Sequence, residues 1–359
     1  MKIAVYTIAL NEEAHAEAFM DASKDADLVV VGDTGSTDRT VEIIQDRGGT
    51  VVPIRQLPWR FDTPRNIVLS LLPSDVDFCL ALDLDEVTKS DWRHQLESRW
   101  DITEHHRLRF RYVHSFNSDG SYGTVGMKDF GHARRNYMWR HAVHEKPYFI
   151  GDGTENVCTI PEMVIEHHQD ISKSRASYIQ LLEVECKSPT ATPRHIFWLG
   201  REHIYNEDWE PARVWLEEFL AAKETWNVER GHAMRLLAKA LAHLKEPTKA
   251  LSMHFKAIES CPWEREVWMD LAWYHQGRDE WAQAYGAIVQ CLSITAKPEH
   301  YLVSHEAWGA KAHDLASLCA FKLEIHEKAQ AHVVDALKLE PTSEHLQQRA
   351  RRLGVKLDA

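Results

Sequence analysis

Residues 80–87 read LALDLDEV and decide how the first part of the chain is interpreted. An apolar run, residues 78–82, leads into three acids, Asp83, Asp85 and Glu86. Continuous apolar runs of this length are typical of strands buried in parallel sheets. Side chains alternate between the two faces of a strand, so Asp83 and Asp85 should project to the same side if the chain stays extended. The stretch therefore predicts a buried strand that ends in two neighbouring carboxylates.

Strands and helices alternate around this stretch. The predicted strands are 3–8, 28–33, 50–54 and 77–83, and the helices between them are 11–23, one capped by Ser36 or Thr37, and 63–72. Such alternation predicts an α/β domain with a mostly parallel sheet and right-handed crossovers. Ligands bind such sheets at the carboxyl ends of the strands. Further strands are predicted at 107–116, within 139–153 and at 162–168.

From about residue 172 the sequence is helical and rich in tryptophan. Leu237 and Leu271 lie in similar segments 34 residues apart, which is the tetratricopeptide period. The spacings from Leu199 to Leu237 and from Leu271 to Leu315 are longer, so the repeats are irregular. The pattern predicts three to four helix pairs stacked as an all-α solenoid.

The length allows two or three domains of a globular protein, and the change of pattern along the chain places them at 1–171 and 172–359. The chain has 359 residues, 44% of them hydrophobic and 27% charged, and a net charge of −12. This charge disfavours bulk nucleic-acid binding, because phosphate contacts require a basic surface. No apolar run approaches the length of a membrane span, and the N-terminus lacks the layout of a signal peptide, so we expect a cytoplasmic location.

The six cysteines are scattered and form no CxxC pair. Neither a disulfide framework nor a zinc knuckle is indicated. Reduced and mostly buried thiols are expected.

The acids of LALDLDEV suggest a metal. Two nearby carboxylates repel each other unless a cation lies beside them. Oxygen ligands without a thiolate suit magnesium or manganese, which usually complete their shell with substrate phosphates. A diphosphate leaving group neutralised by the ion fits this chemistry. The alternative is an acidic loop before the next helix, capped by Ser90 or Asp91.

Asp33 is a second candidate at the same edge. It ends the second predicted strand and begins the segment DTGSTDRT. A carboxylate there can accept hydrogen bonds from a base or a ribose, although a plain strand–turn–helix also explains the segment. The sequence contains neither GxGxxG nor GxxxxGK[ST], so neither a dinucleotide fold nor a P-loop is supported.

Five motifs occur in a recognisable order: TIALNEE (7–13), DTGSTDRT (33–40), FDTPRN (61–66), LDLDE (82–86) and VHE (143–145). Together they resemble a family 2 glycosyltransferase of GT-A fold, of the type with appended tetratricopeptide repeats. The resemblance covers residues 1 to about 170 by motif and the remainder by repeat architecture.

The resemblance implies a nucleotide-sugar site. The backbone near Thr7 and the side chains of Asp33 and Arg65 would hold the nucleotide, most often uridine. Asp83 would contact the ribose or the metal, and Asp85 would ligate Mn²⁺ or Mg²⁺. For Arg65, a simple ion pair with Asp62 or Asp83 is the competing interpretation.

The resemblance also implies a catalytic base and a further metal ligand. Glu145 falls where the family places its base, although a solvated acid at a strand end would look the same. His167 or His168 would lie near the diphosphate. We prefer His167 as the metal ligand, because it shares a strand face with Ile165.

The activity implied is that of a hexosyltransferase. It would move a sugar from a nucleotide diphosphate sugar, most often a UDP-sugar, to a hydroxyl or thiol acceptor with inversion. A protein or peptide bound near the repeats, a glycan and a modified nucleobase all remain open as acceptors, and so does a homo-oligomeric state.

Two other functions compete with this interpretation. One is an interaction scaffold, in which the repeats bind a partner and the transferase domain is inactive. The other is a sugar-phosphate nucleotidyltransferase, which shares the sheet and the metal. That enzyme needs a basic triphosphate loop near the first strand, where TIALNEE is acidic.

Overall fold

The structure is a computed structural model that describes residues 1–117, 119–169, 177–223 and 225–356. The chain divides into two compact units, Met1–Ala191 and Thr192–Ala359. The boundary predicted between residues 171 and 172 lies outside the described residues. Over the described ranges, no helix is both long enough and apolar enough to cross a bilayer.

The first unit is built on strands that follow the predicted order. They are β1 (Ile3–Ala9), β2 (Leu28–Asp33), β3 (Thr50–Pro53), β4 (Phe78–Ala81), β5 (Glu86–Thr88), β6 (Arg107–Val113), β7 (Val125–Ala133), β8 (Tyr137–Arg140), β9 (Lys146–Phe149) and β10 (Val157–His167). Eight of them form one sheet in the order β3-β2-β1-β4-β7-β6-β10-β5, and β8 and β9 form a separate hairpin.

The sheet is mixed. Strands β3, β2, β1 and β4 are parallel to one another, as predicted. Strand β7 runs antiparallel to β4 and β6, and β5 runs antiparallel to β10. Strand β5 pairs with the edge of β10 that faces away from β6, at Ile165–His167.

Helices cover both faces of the sheet. They are α1 (Glu13–Ala22), α2 (Thr40–Asp46), α3 (Asp62–Leu71), α4 (Trp92–Glu97) and α5 (Ser177–Cys186). The side chains of β1 show the two layers: Ile3 and Val5 pack in a core with α1, α2 and α4, whereas Ala4 and Tyr6 pack in a core with α3 and β8. This alternation is the period of two expected of a strand buried on both sides.

Two local predictions are wrong. Helix α2 begins at Thr40, so neither Ser36 nor Thr37 is its cap; the Asp38 carboxylate instead accepts the Thr40 backbone N–H at 3.0 Å. Strand β4 ends at Ala81, and a turn follows in which the Glu86 N–H donates to the Asp83 carbonyl at 3.0 Å. The chain is therefore not extended from Asp83 onward, and the same-face argument for its two aspartates does not hold.

The second unit consists of helices joined by short turns. They are α6 (Pro193–Tyr205), α7 (Trp209–Ala221), α8 (Asn227–His243), α9 (Pro247–Ser260), α10 (Arg265–Gln276), α11 (Trp281–Ser293), α12 (His305–Trp308), α13 (Ala310–Lys322), α14 (His326–Leu339) and α15 (Glu344–Arg352). Four pairs pack side by side: α6 with α7, α8 with α9, α10 with α11, and α13 with α14.

The same backbone turn recurs in all four pairs. Glu207, Lys245, Asp279 and Glu324 each lie between the two helices of a pair, with φ of 59°, 65°, 58° and 60°. Left-handed non-glycine residues are uncommon, so their recurrence marks a repeating unit. The prediction of three to four helix pairs is confirmed with four, and the architecture is TPR-like.

All six cysteines are free thiols, and five of them are buried. The predicted reduced and mostly buried state is confirmed.

Candidate functional site

A cleft of about 630 Å³ opens at the carboxyl edge of the first unit's sheet. Ala9 ends β1, Thr34 follows β2, and the turn after β4 supplies Asp83 and Asp85. Parallel strands bring their carboxyl ends to one edge, so residues far apart in sequence meet there. The segment between β8 and β9 completes the cleft with Val143, His144 and Glu145.

Arg65 joins two of the predicted site residues. Its Nε donates to Glu145 Oε1 at 2.6 Å, and its Nη2 donates to Asp83 Oδ1 at 2.6 Å. The guanidinium is 5% exposed. Asp62, the other partner considered, is instead held by Arg60 at 2.7 Å. The base candidate and the first acid of LDLDE are thus fixed by one planar cation, which suits two-point binding of carboxylates.

Arg65 is itself held by the strand beneath it. Its Cζ lies 4.8 Å from the ring centroid of Trp139. The Trp139 indole donates to the Tyr6 hydroxyl at 2.7 Å, and the Asn66 side chain bonds both backbone groups of Trp139 at 2.8 Å. Asn66 therefore ties α3 to β8, the strand that leads into the VHE segment.

The VHE segment has its own anchors. The Phe61 N–H donates to the Ala142 carbonyl at 3.0 Å, and the Ala142 N–H donates to Glu185 of α5 at 2.8 Å. His144 adopts a left-handed φ of 53°, and its ring lies 5.7 Å from that of Tyr178. The backbone before Glu145 is therefore fixed from two elements.

The two acids bound by Arg65 differ in proton affinity. Burial would raise the pKa of Asp83, but the charges of Arg65 and Lys128 and the hydrogen bond from Arg65 together outweigh it and hold that pKa at about 2. Burial raises the pKa of Glu145, and Arg65 offsets this only in part. Asp83 therefore stays ionised, whereas Glu145 has the greater affinity for a proton. A binding acid and a general base differ in this way.

Asp85 pairs with His167. The two side chains approach at 3.2 Å, between Asp85 Oδ2 and His167 Nε2. Burial would lower the pKa of His167, but the hydrogen bond to Asp85 and the charges of Asp85 and Glu86 together outweigh it and raise that pKa. His168 is directed elsewhere: its ring stacks on Phe116, and its Nε2 lies 3.4 Å from Glu166. Of the two histidines, the preferred His167 is the one beside the acids.

Glu86 supports the turn from behind. Its Oε2 accepts the Asp83 N–H at 3.1 Å, and its Oε1 accepts the Tyr112 hydroxyl at 2.7 Å and forms an ion pair with Lys128. The side chain is 1% exposed. No motif pointed to Lys128 or Tyr112, because their link to the turn exists only after β6 and β7 have paired.

Thr7 and Asp33 lie at this edge but are turned away from the cleft. Thr7 is fully buried, and its hydroxyl contacts the Ile8 carbonyl at 3.2 Å. The Asp33 carboxylate accepts the N–H groups of Gly35 and Ser36 at 3.2 and 3.0 Å. Their roles in nucleotide binding stay predictions. The cleft also contains aromatic side chains that no motif indicated, namely Trp59, Phe61, Phe130 and Tyr178.

The residues present fit a divalent metal. Five carboxyl groups gather at the site, on Glu12, Asp83, Asp85, Glu86 and Glu145, with two permanent cations, Arg65 and Lys128. This excess of carboxyl groups over cations favours a bound divalent cation. Carboxylate oxygens with one imidazole suit Mn²⁺ or Mg²⁺ better than a thiol-seeking metal. Asp85 and His167 are the groups placed to hold it.

Comparison with known proteins bears on the repeats. No protein-family model and no curated protein matches the chain. The crystal structure of MamA is 16% identical over 48% of this chain and 96% of its own, with a TM-score of 0.37. A thermophilic TPR protein of Thermus thermophilus is 15% identical over 50% of this chain and 89% of its own, with a TM-score of 0.38.

A third similar structure is the first TPR of Spaghetti bound to an HSP90 peptide. It is 14% identical over 35% of this chain and 92% of its own, with a TM-score of 0.30. Likenesses this distant do not extend to function.

Proposed function

We propose that Met1–Ala191 is a metal-dependent glycosyltransferase domain of GT-A type. It would move a sugar from a nucleotide diphosphate sugar to a hydroxyl or thiol acceptor. The observation that carries the proposal is the Arg65 bridge, which joins Asp83 to Glu145 at 2.6 Å each within one cleft. An ion pair with a purely structural role would need only one carboxylate on Arg65. It would not need two carboxyl groups that differ in proton affinity.

In this proposal Glu145 is the general base. Its carboxylate takes the acceptor proton while the acceptor oxygen or sulfur bonds to the anomeric carbon. The bond from that carbon to the diphosphate oxygen breaks, and the electron pair leaves with the diphosphate. A bound Mn²⁺ or Mg²⁺ supplies positive charge that stabilises this leaving group. Arg65 keeps Glu145 and Asp83 at a fixed separation throughout, which is a positioning role.

The finer assignments rest on the resemblance stated above. These assignments are that the nucleotide contains uridine, that the sugar is a hexose and that the transfer inverts the anomeric configuration. The cleft adds aromatic side chains, Trp59 and Phe61, whose rings meet edge to face at 5.2 Å. Aromatic faces in a cleft suit the C–H face of a sugar or a nucleotide base.

A panel of nucleotide sugars tests the proposal. Thermal shift and sugar hydrolysis are measured with and without Mn²⁺ on wild type, on Asp85→Ala and on the surface control Asp152→Ala. We expect stabilisation by at least one uridine or guanosine diphosphate sugar, dependent on Mn²⁺, kept by Asp152→Ala and lost in Asp85→Ala. If none of these compounds stabilises the protein, the claim that the cleft binds a sugar donor is wrong.

A second candidate is an interaction scaffold. The four helix pairs of Thr192–Ala359 carry it, since stacked helix pairs present extended binding surfaces. The comparisons agree with this candidate more directly than with the transferase. A partner-dependent function that is unchanged in Asp85→Ala would favour the scaffold. Pyrophosphate release from a nucleoside triphosphate and a sugar phosphate would favour the nucleotidyltransferase instead.

A further inference from the structure

A separate cavity of about 590 Å³ lies within the helical unit. Helices α6, α8 and α10 supply most of its lining, together with residues 301–304. The volume falls within the range of about 300–1,000 Å³ typical of small-molecule sites.

The cavity owes part of its wall to an insertion between α11 and α12. Residues 294–304 connect these helices, and they account for the long spacing between Leu271 and Leu315. Three carboxylates, each no more than 3% exposed, anchor the insertion. The contacts are the Tyr301 hydroxyl to Glu229 at 2.7 Å, His300 Nε2 to Glu264 at 3.1 Å and the Ser304 N–H to Glu266 at 2.7 Å. A wall anchored in this way bounds the cavity and suits a compact ligand better than an extended chain.

Several buried polar atoms in the lining lack a partner among the described residues. They are Arg201 Nε, His232 Nε2, His254 Nδ1 and Glu266 Oε2. The last three belong to side chains that are 1%, 3% and 1% exposed. His232 Nε2 lies 3.9 Å from Glu264 Oε2, beyond hydrogen-bond distance. Buried polar groups without a hydrogen bond are destabilising, so these atoms are available to hydrogen-bond a polar ligand.

His232 presents a donor rather than a lone pair. Arg235 Nε donates to its Nδ1 at 3.2 Å, so the ring proton is on Nε2. Burial lowers the pKa of His232 to about 4, so the ring is neutral at neutral pH. His232, Glu264 and Glu266 bring ligand atoms within 4.8 Å of one another, but a protonated Nε2 does not bind a metal. The cluster is therefore better suited to a hydrogen-bonding ligand than to a cation.

Most of the charged side chains in the lining that are not paired with an opposite charge are cations. Asp270 is paired with Arg235 at 2.8 Å, and Glu306 forms an ion pair with Lys311. Burial raises the pKa of Glu266. Two of the three acids in the lining are thus paired with a cation, and Glu266 is the third.

The cations that remain are Arg201 and Lys239. Arg201 approaches a carboxylate only at 3.8 Å, on Glu202, and Lys239 makes no ion pair within the described parts of the chain. Arg201 Cζ lies 5.9 and 5.8 Å from the ring centroids of Phe197 and Tyr205, and Trp273 and Tyr274 line the same cavity. Positive charge and aromatic surface in one cavity are the arrangement that recognises an anion carried on a ring.

We propose that this cavity binds a small organic anion with a flat ring. Arg201 and Lys239 hold its phosphate or carboxylate, and the aromatic side chains hold the ring. The site is independent of the proposed transferase activity.

Isothermal titration calorimetry on the full chain tests the proposal, with phenyl phosphate, benzoate and uncharged benzyl alcohol as probes. At least one of the two anions should bind, and benzyl alcohol should not. Arg201→Met should weaken binding by about tenfold or more, the loss expected when one charge-assisted contact is removed. Arg213→Met, which removes a half-buried cation of α7 outside the cavity lining, and Asp85→Ala should leave binding unchanged.

Which anion binds identifies the headgroup. If Arg201→Met does not fold, Lys239→Met replaces it, since Lys239 is exposed and its change should weaken binding in the same direction. Absence of binding by both anions overturns the proposal. Equal binding of benzyl alcohol, full retention of affinity in the Arg201 or Lys239 variant, or loss of binding in Asp85→Ala overturns it as well.

Discussion

Arg65→Lys tests whether the bridge between Asp83 and Glu145 depends on guanidinium geometry rather than on charge. An ammonium keeps the charge but cannot reach both carboxylates in one plane, so about one charge-assisted hydrogen bond is lost. Such a bond contributes about 1.5–3 kcal/mol, and the weakened contact with the Trp139 ring adds about 0.5 kcal/mol or more. We therefore expect the free energy of unfolding of the first unit to fall by about 2–3 kcal/mol.

Arg60→Lys is the matched control. Arg60 also binds one acid through two N–H groups, at 3.0 and 2.7 Å to Asp62, but its side chain is 33% exposed. The Asp62 carboxylate is buried but the Arg60 side chain reaches solvent, so Arg60→Lys should cost less than Arg65→Lys, about 1 kcal/mol. Urea titration read by hydrogen exchange of peptides from Met1–Ala191 isolates this unit, since a chain of two units need not unfold in one step. If Arg65→Lys and Arg60→Lys lower the free energy of unfolding equally, the Arg65 bridge is no stronger than the Arg60 pair and the reasoning is refuted.

Three further changes address the base, the paired histidine and the repeats. Glu145→Gln should lower sugar transfer by about 10²–10⁴-fold and leave donor affinity unchanged, as measured by initial rates and calorimetry; retained transfer would exclude Glu145 as the base. The pKa of His167 is raised in the folded chain, so its contribution to stability is complete below the unfolded pKa of about 6.5 and is lost as the pH rises through the folded value. The stability difference between wild type and His167→Asn should therefore shrink between about pH 6 and about pH 9 in urea titrations, and a difference that grows would contradict the pairing with Asp85. Gly231→Ala would place a Cβ 2.0 Å from Cys261 Sγ and should destabilise the helical unit by about 1–3 kcal/mol in thermal unfolding, with recovery in the double variant that also carries Cys261→Ala; a neutral single variant would contradict the close packing of α8.

The gathering of site residues at one sheet edge was predictable from sequence. Parallel strands that alternate with helices place their carboxyl ends together, which brings Asp85 and the turn after β2 to one side. The preference for His167 over His168 followed from strand alternation alone, and the structure agrees with it. These inferences needed only local periodicity.

Several partners of the site side chains were not predictable. The sequence offered Asp62 or Asp83 as the partner of Arg65, and Arg65 does pair with Asp83, but it also binds Glu145, which is 80 residues away. Lys128 approaches Glu86 only because β7 lies between β4 and β6 in the sheet. The extended conformation assumed for LALDLDEV fails because β5 pairs with β10, a strand that follows about 70 residues later. Long-range pairing of this kind leaves no periodic signal in a single sequence.

The acids of LALDLDEV also depart from the local rule that a buried strand consists of apolar residues. A buried strand has no packing reason to end in three carboxylates, and the structure places each of them on a different partner: Asp83 on Arg65, Asp85 on His167 and Glu86 on Lys128. Conflicts between local preference and burial are expected at functional sites.

Calorimetric titration of UDP into the full chain, with and without Mn²⁺, tests the central claim most directly. We predict that wild type binds UDP in the presence of Mn²⁺, that affinity falls by at least about tenfold without the metal, and that Asp85→Ala loses the metal-dependent part. Equal affinity with and without Mn²⁺, or an Asp85→Ala variant that binds as wild type does, would contradict the assignment of the cleft as a metal–nucleotide site.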